Sequence, residues 1–471
     1  MFNFPGTVLI DDKKEELYEI LASISAAGIP CIPINYQNND SNNPSGIDHI
    51  DLENIRPRII ITDLNLTESG SLDAKSLVGP IAAVLKPLTN NGPYILLFWS
   101  KNAGLVEEVV NLLKIRFHDK INLPIHWGVI SKADFKDKPV ELKNKIKLLI
   151  KENSLFNAVS DWESRVAYAA QKTSNALYEL TTPTEYQAED KADLHQEELR
   201  KALALIGNET VGINNAADYP SLAIDLGLSP LLQDQLHIIN LDENLWGTAI
   251  PAIGKKQDLS DPIKSALNTF CHLEQVSSDF PKDCRGVFVS LNSQNLETAE
   301  KLHKLEDKLG SSVENIIHEE FLSKSRCGKS KADAKLFQSE ARKAIKLGFV
   351  ELSAVCDQAQ KKTKLHQYLL AALIPEKFIA LTLFKKGNGE QNFSHMGIYR
   401  LPKIIIDGEM YVLKLSFKYQ IGVKAFSEVD GRTYENTWFG EPLFRLKDQI
   451  LSDISFKCAQ YSSRPGVIRF D

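Results

Sequence analysis

Two short stretches decide the first part of the fold: TVLIDD at Thr7–Asp12 and RIIITD at Arg58–Asp63. Each is an apolar, largely β-branched run, too short for a helix and stopped by aspartate, as in a strand buried on both faces. Working outward, strands are predicted at Thr7 to Ile10, Ile29 to Tyr36, Arg58 to Thr62, Tyr94 to Phe98 and Ile125 to Ile130. Helical stretches fill the gaps. Leu17, Ile20, Leu21 and Ile24 recur at three- and four-residue spacing and make one buried stripe, with Lys13, Glu15 and Glu16 expected to face water. Leu105, Val109 and Leu113 repeat the pattern after the fourth strand. This alternation predicts a parallel sheet built from βαβ units. The polar run Asn38 to Gly46 reads as an exposed loop.

The residues that carry chemistry fall at the carboxyl ends of these strands, where open parallel sheets build their sites. Strand one ends in Asp11-Asp12, strand three in Asp63, strand four in Ser100 and strand five in Ser131-Lys132. Three carboxylates converging on one point repel unless a hard cation sits between them, and Mg²⁺ held by carboxylates, water and phosphate is the usual arrangement. Asp63 could then attack phosphorus and carry the phosphoryl group, with Lys132 neutralising its oxygens and Ser100 donating a hydrogen bond to it. Taken singly, Asp11 and Asp12 would serve as well to cap the first helix, and Lys132 to sit in solvent.

With these residues in place, the stretch from about residue 5 to 150 resembles the receiver domain of two-component response regulators, which implies a flavodoxin-like fold. The resemblance implies that Asp11, Asp12 and Asp63 bind Mg²⁺ together with the backbone carbonyl of Asn65. It also implies that Asp63 is the phosphoacceptor and that Ser100 and Lys132 contact the phosphoryl group. A histidine kinase is the implied donor. The chain departs from the family at Ala133, where proline commonly follows the lysine, and at Val129, where an aromatic switch residue commonly stands. The intervals from Asp63 to Ser100 and to Lys132 are also longer than in compact receivers, which points to insertions around Leu66 to Pro80 or Arg116 to Leu123.

The remaining sequence suggests a receiver at 1–137, a helical linker and middle domain at 138–346, and a C-terminal α+β domain at 347–471. Leu142, Ile146, Leu149 and Ile150 form a helical stripe closed by Thr182-Pro183, and further helices are expected at Leu194 to Leu205, Asp261 to Phe270 and Asn295 to Leu309. Strands are predicted at Phe349 to Ala354, Phe378 to Phe384, Lys403 to Ile406 and Met410 to Phe417, with turns at Gly387-Asn388-Gly389 and Asp407-Gly408. A helix is expected from Pro442 to Tyr461, stopped by Arg464-Pro465-Gly466, with Val467 to Phe470 a possible last strand.

No familiar catalytic signature accompanies this part. Cys327-Gly328-Lys329-Ser330 is similar to the end of a P-loop, but Ser323 stands where its first glycine belongs. Ser323 to Lys346 carries Lys324, Arg326, Lys329, Lys331, Lys335, Arg342, Lys343 and Lys346 against Asp333 and Glu340, a solvated helix or the phosphate-binding face of a C-terminal nucleic-acid-binding or nuclease-like effector gated by the first domain. Cys356-Asp357 with His366 is either a metal or thiol site or a buried structural cysteine. The segments Val350 to Gln360, Arg445 to Ile450 and Ser463 to Gly466 look similar to stretches of bacterial defence proteins. The whole chain weakly resembles the phosphate-accepting regulator of Detocs-type antiphage systems, which implies a phosphate sink or a switch for a second response regulator or effector protein.

Composition bounds these readings. A chain of 471 residues with 43% hydrophobic and 25% charged residues, and 25 Gly and 20 Pro without period, is globular and too long for one core. Its six cysteines are scattered without zinc-finger spacing, as expected of reduced thiols. A net charge of -6 makes nucleic acid an unexpected partner for the chain as a whole. No run approaches the roughly 18 apolar residues needed to cross a bilayer, and the start MFNFPGTVLIDD lacks the basic n-region of a signal peptide. The expectation is a cytoplasmic phosphoacceptor, at most an autodephosphorylating one, rather than a metabolic enzyme.

Overall fold

The computed structural model describes residues 6–37, 42–67, 73–89, 92–135, 138–183, 191–239, 242–292, 299–323, 325, 327–354, 357–358, 363–385, 391–392, 397–424 and 438–463. They form two compact units, one of Met1–Ala202 with Gly227–Lys256, the other of Leu203–Leu226 with Gln257–Asp471.

The first unit is built on β1 (Thr7–Asp11), α1 (Lys14–Ala26), β2 (Cys31–Asn35), β3 (Ile59–Asp63), α2 (Ala74–Leu88), β4 (Ile95–Trp99), α3 (Val106–Arg116), β5 (His126–Ile130), α4 (Lys132–Phe135), α5 (Pro139–Glu152) and α6 (Ser154–Leu180). Its five strands are all parallel in the order β2-β1-β3-β4-β5, the flavodoxin-like winding. Strand side chains alternate between two covered faces. Val8, Ile10, Ile60, Leu96 and Phe98 pack with Leu77, Ile81 and Leu85 of α2 and Val109 and Leu113 of α3. Leu9, Ile59, Ile61, Ile95 and Leu97 pack with Leu17, Ile20 and Ile24 of α1 and Leu142, Ile146 and Leu149 of α5. Gly128 makes the second layer close: a Cβ there would come within 2.7 Å of a Leu149 methyl.

The chain continues through α7 (Lys191–Val211), α8 (Ile213–Asp218), α9 (Pro220–Ile238), α10 (Glu243–Ala249) and α11 (Asp261–His272). The second unit then gathers β6 (Leu273–Gln275), β7 (Val287–Leu291), α12 (Ala299–Leu309), α13 (Val313–Ile316), a π-turn (Ile317–Phe321), α14 (Lys331–Ala344), β8 (Lys346–Glu351), β9 (Leu365–Pro375), β10 (Phe384–Lys385), β11 (Gln391–Asn392), β12 (Ile398–Ile406), β13 (Glu409–Lys424), β14 (Phe439–Leu446) and a closing helix, Asp448–Ser462. Seven of its strands make an antiparallel sheet in the order β12-β13-β9-β8-β7-β14-β6, with an apolar layer on each face. The C-terminal α+β region therefore recruits β6 and β7 from before residue 347.

Two expectations need correction. Phe378 to Phe384 is not a strand: Glu376–Thr382 is a 3₁₀ helix, because the buried positions Phe378 and Leu381 are three apart rather than two. The strand in that region is β9, apolar from Tyr368 to its end at Pro375. The expected helix from Pro442 begins as strand, since Pro442, Phe444 and Leu446 are buried at period two while helical spacing begins only with Leu451, Ile454 and Cys458. The expected turn at Gly387-Asn388-Gly389, the helix stop at Arg464-Pro465-Gly466 and the strand Val467 to Phe470 lie outside the described residues.

Candidate functional site

The register of the parallel sheet sets the strand ends level. Ile10 pairs with Thr62, Asp63 with Trp99, and Trp99 with Ile130, so the residues that follow emerge side by side. One carboxylate oxygen each of Asp11, Asp12 and Asp63 lie within 4.8 Å of one another. Lys132, the first residue of α4, reaches over them, its Nζ 3.3 Å from Asp11 Oδ2 and 3.3 Å from Asp63 Oδ2.

Backbone groups fix two of the three acids. Asp11 Oδ1 accepts the Lys13 N–H at 2.9 Å, and Asp63 Oδ1 accepts the Leu64 N–H at 2.8 Å. Asp12 Oδ1 is buried without a hydrogen-bond partner among the described residues, and so is Asn65 Oδ1. The helix-capping reading of Asp11 and Asp12 does not hold, because Lys13 occupies the N-cap position and no side chain caps α1.

The electrostatics show what the cluster lacks. Burial pushes the Asp11 carboxyl up to about 6, against the opposing pull of Lys132. Asp63 is also raised, again chiefly by burial with Lys132 opposing. Burial works against the Lys132 charge too, yet Asp63, Glu16 and Asp11 more than offset it and hold the ammonium well above its ordinary range. One ammonium thus leaves buried carboxylates under-compensated, and a buried anion without a partner is costly. A hard divalent cation taking oxygens of Asp11, Asp12 and Asp63 fits this donor set, and it would give the orphaned Asp12 oxygen its partner.

Ser100 and Asn65 follow the neighbouring strands β4 and β3. Ser100 is buried, donates its N–H to Ile130 O at 3.2 Å and accepts the Asn102 N–H on its hydroxyl at 3.0 Å. The sequence reading missed Glu16. Instead of facing water, its Oε2 lies 2.5 Å from Lys132 Nζ, and that hydrogen bond holds the Glu16 carboxyl below the usual range. The signal was present: Glu16 is four residues before the buried Ile20 and eight before Ile24, on the same helix stripe.

The other sequence candidates fall elsewhere. Cys327 and Gly328, both at positive φ, form a turn before α14, where Ser330 caps the helix through the Asp333 N–H at 3.2 Å. Along the basic stretch, Arg342 is paired with Glu314 at 2.7 Å and the Lys329 ammonium lies over the Phe337 ring, while Lys335, Lys343 and Lys346 are exposed. Lys324, Arg326 and Cys356 lie outside the described residues. His366 is buried with its Nδ1 3.0 Å from Glu351 Oε1, an internal pair.

No protein-family model matches this chain, and no curated protein does. Among solved structures, full-length FixJ from B. japonicum is similar over 54% of this chain and 100% of its own, with a TM-score of 0.23 and 12% sequence identity.

Proposed function

We propose that the first unit is a receiver that accepts a phosphoryl group on Asp63 from a phosphohistidine of a histidine kinase. The observation that carries this reading is the convergence of Asp11, Asp12, Asp63 and Lys132 at level strand ends, with buried Asp11 and Asp63 under-compensated.

The chemistry follows from the placement. Asp63 Oδ2, on the side of Lys132, attacks phosphorus in line with the scissile P–N bond. The bond to phosphorus forms as that to the imidazole breaks; the ring, protonated on its other nitrogen, keeps the electron pair of the P–N bond and leaves as neutral imidazole. Asp63 Oδ1 stays with the Leu64 N–H, which holds the carboxyl plane through the reaction. Lys132, its Nζ 3.3 Å from Asp63 Oδ2, lies within reach of the new phosphoryl oxygens and neutralises their charge. Ser100 reaches the phosphoryl group by rotating its hydroxyl away from Asn102. A Mg²⁺ held by Asp11, Asp12, Asp63 and the Asn65 carbonyl would neutralise charge on the transferring group.

The consequence of phosphorylation is a changed surface at the strand ends, read by a protein partner, or simple storage of the phosphoryl group as a sink. Placement in bacterial antiphage defence rests on the resemblance of the C-terminal segments. The test is to incubate the full chain with a small phosphodonor and Mg²⁺ and compare intact masses. Wild type should gain one phosphoryl group and Asp63→Asn none; adducts on both would show that Asp63 is not the acceptor.

A further inference from the structure

Glu16 is the one close partner of Lys132 to which the phosphoacceptor reading gives no role. Its Oε2 lies nearer the ammonium, at 2.5 Å, than either Asp11 or Asp63 at 3.3 Å. The three partners differ in how far they can move. Asp11 is fully buried and tied to the Lys13 N–H, and Asp63 is tied to the Leu64 N–H. Among the described residues Glu16 pairs, besides Lys132, only with the exposed Lys13 ammonium, 3.7 Å from its other oxygen; it is 35% exposed and borders a cavity of about 490 Å³, lined also by Glu15, Glu19, Trp99, Lys101 and Lys132. Its carboxylate has room to turn away; those of Asp11 and Asp63 do not.

We propose that Glu16 is a latch on Lys132, engaged before phosphorylation and released by it. The inference rests on the phosphoacceptor reading and adds a positioning residue to it. Before transfer, Glu16 shares the ammonium with Asp11 and Asp63. A phosphoryl group on Asp63 brings nearly two negative charges within reach of Lys132, and one part-exposed carboxylate cannot compete with them. Lys132 then closes on the phosphoryl oxygens and Glu16 swings into the cavity. Glu15, Glu16 and Glu19 would there present a more acidic α1 face, a change of charge that a partner can read.

The test uses beryllofluoride, a phosphoryl mimic, titrated into the full chain with Mg²⁺ and followed by its bound ¹⁹F signal. Without the latch, Lys132 no longer has to be taken from a competitor, so Glu16→Gln should bind the mimic about three- to five-fold more tightly than wild type. Glu16→Asp should fall between the two, and the difference should shrink at high salt, as an effect of charge on a part-exposed pair must. Equal or weaker binding by Glu16→Gln would overturn the latch while leaving the phosphoacceptor reading intact. No binding by wild type itself would remove that reading, and the latch with it.

Discussion

The two units treat buried carboxylates in opposite ways. In the second unit Glu351 is fully buried, yet both oxygens are answered: Oε1 by His366 at 3.0 Å and Oε2 by the Ser353 N–H at 3.1 Å. Gln358 extends the network, accepting the Arg285 N–H at 2.8 Å and donating to Asp283 O at 2.9 Å. Elsewhere in the unit, buried Glu320 accepts the hydroxyl of buried Ser416 at 3.0 Å. In the first unit three acids share one ammonium, two have raised pKa values, and an Asp12 oxygen has no partner among the described residues. Answered charges hold architecture together, whereas under-compensated ones at strand ends are poised for something to arrive.

That contrast breaks most sharply at Glu351. Glu351→Ala leaves the Ser353 N–H and His366 buried without their acceptor, and should lower the stability of the second unit by about 3 kcal/mol in urea unfolding. A loss below about 1 kcal/mol would mean that the network is not structural.

The pH dependence of unfolding sharpens the same contrast, because the two units carry shifts of opposite consequence. Asp11 is raised from 3.8 to about 6, so between these values the folded state binds the extra proton and stability falls as pH rises through about 6. Lys414 is lowered from 10.5 to about 7, chiefly by burial, so above pH 7 the unfolded state binds the extra proton and stability rises toward pH 10.5. Each slope should amount to on the order of 2 kcal/mol, given about 1.4 kcal/mol per pKa unit and partial relaxation of the site. Asp11→Asn should flatten only the acid-side fall, and Lys414→Met only the alkaline-side rise, in unfolding titrations followed from pH 4 to 10. A substitution that leaves its slope unchanged would contradict the burial of that group.

Much of the first unit was legible because its strands are isolated apolar runs that end in polar residues, so the same letters that mark β1 and β3 also mark the site at their ends. The second unit was less so. β9 is apolar for most of its length, without the alternation or early turn signals that separate strand from helix, and β7 lies within an otherwise helical region. Its buried network escaped notice because Glu351 and His366 are separated by 15 residues and meet only through the pairing of adjacent strands β8 and β9. Glu16 was misread for a different reason: charge alone assigned it to solvent, although its spacing to Ile20 and Ile24 placed it on the buried stripe.

The most direct test of the central claim, that the strand-end acids are held apart from their missing counter-charge, is thermal unfolding of wild type and Asp12→Asn with and without Mg²⁺. If the cluster is under-compensated, Mg²⁺ raises the wild-type melting temperature, and Asp12→Asn is the more stable protein by about 1 kcal/mol without the ion and gains little from it. If Mg²⁺ leaves wild type unchanged and Asp12→Asn is destabilised, the acids are structural, and the phosphoacceptor reading fails with them.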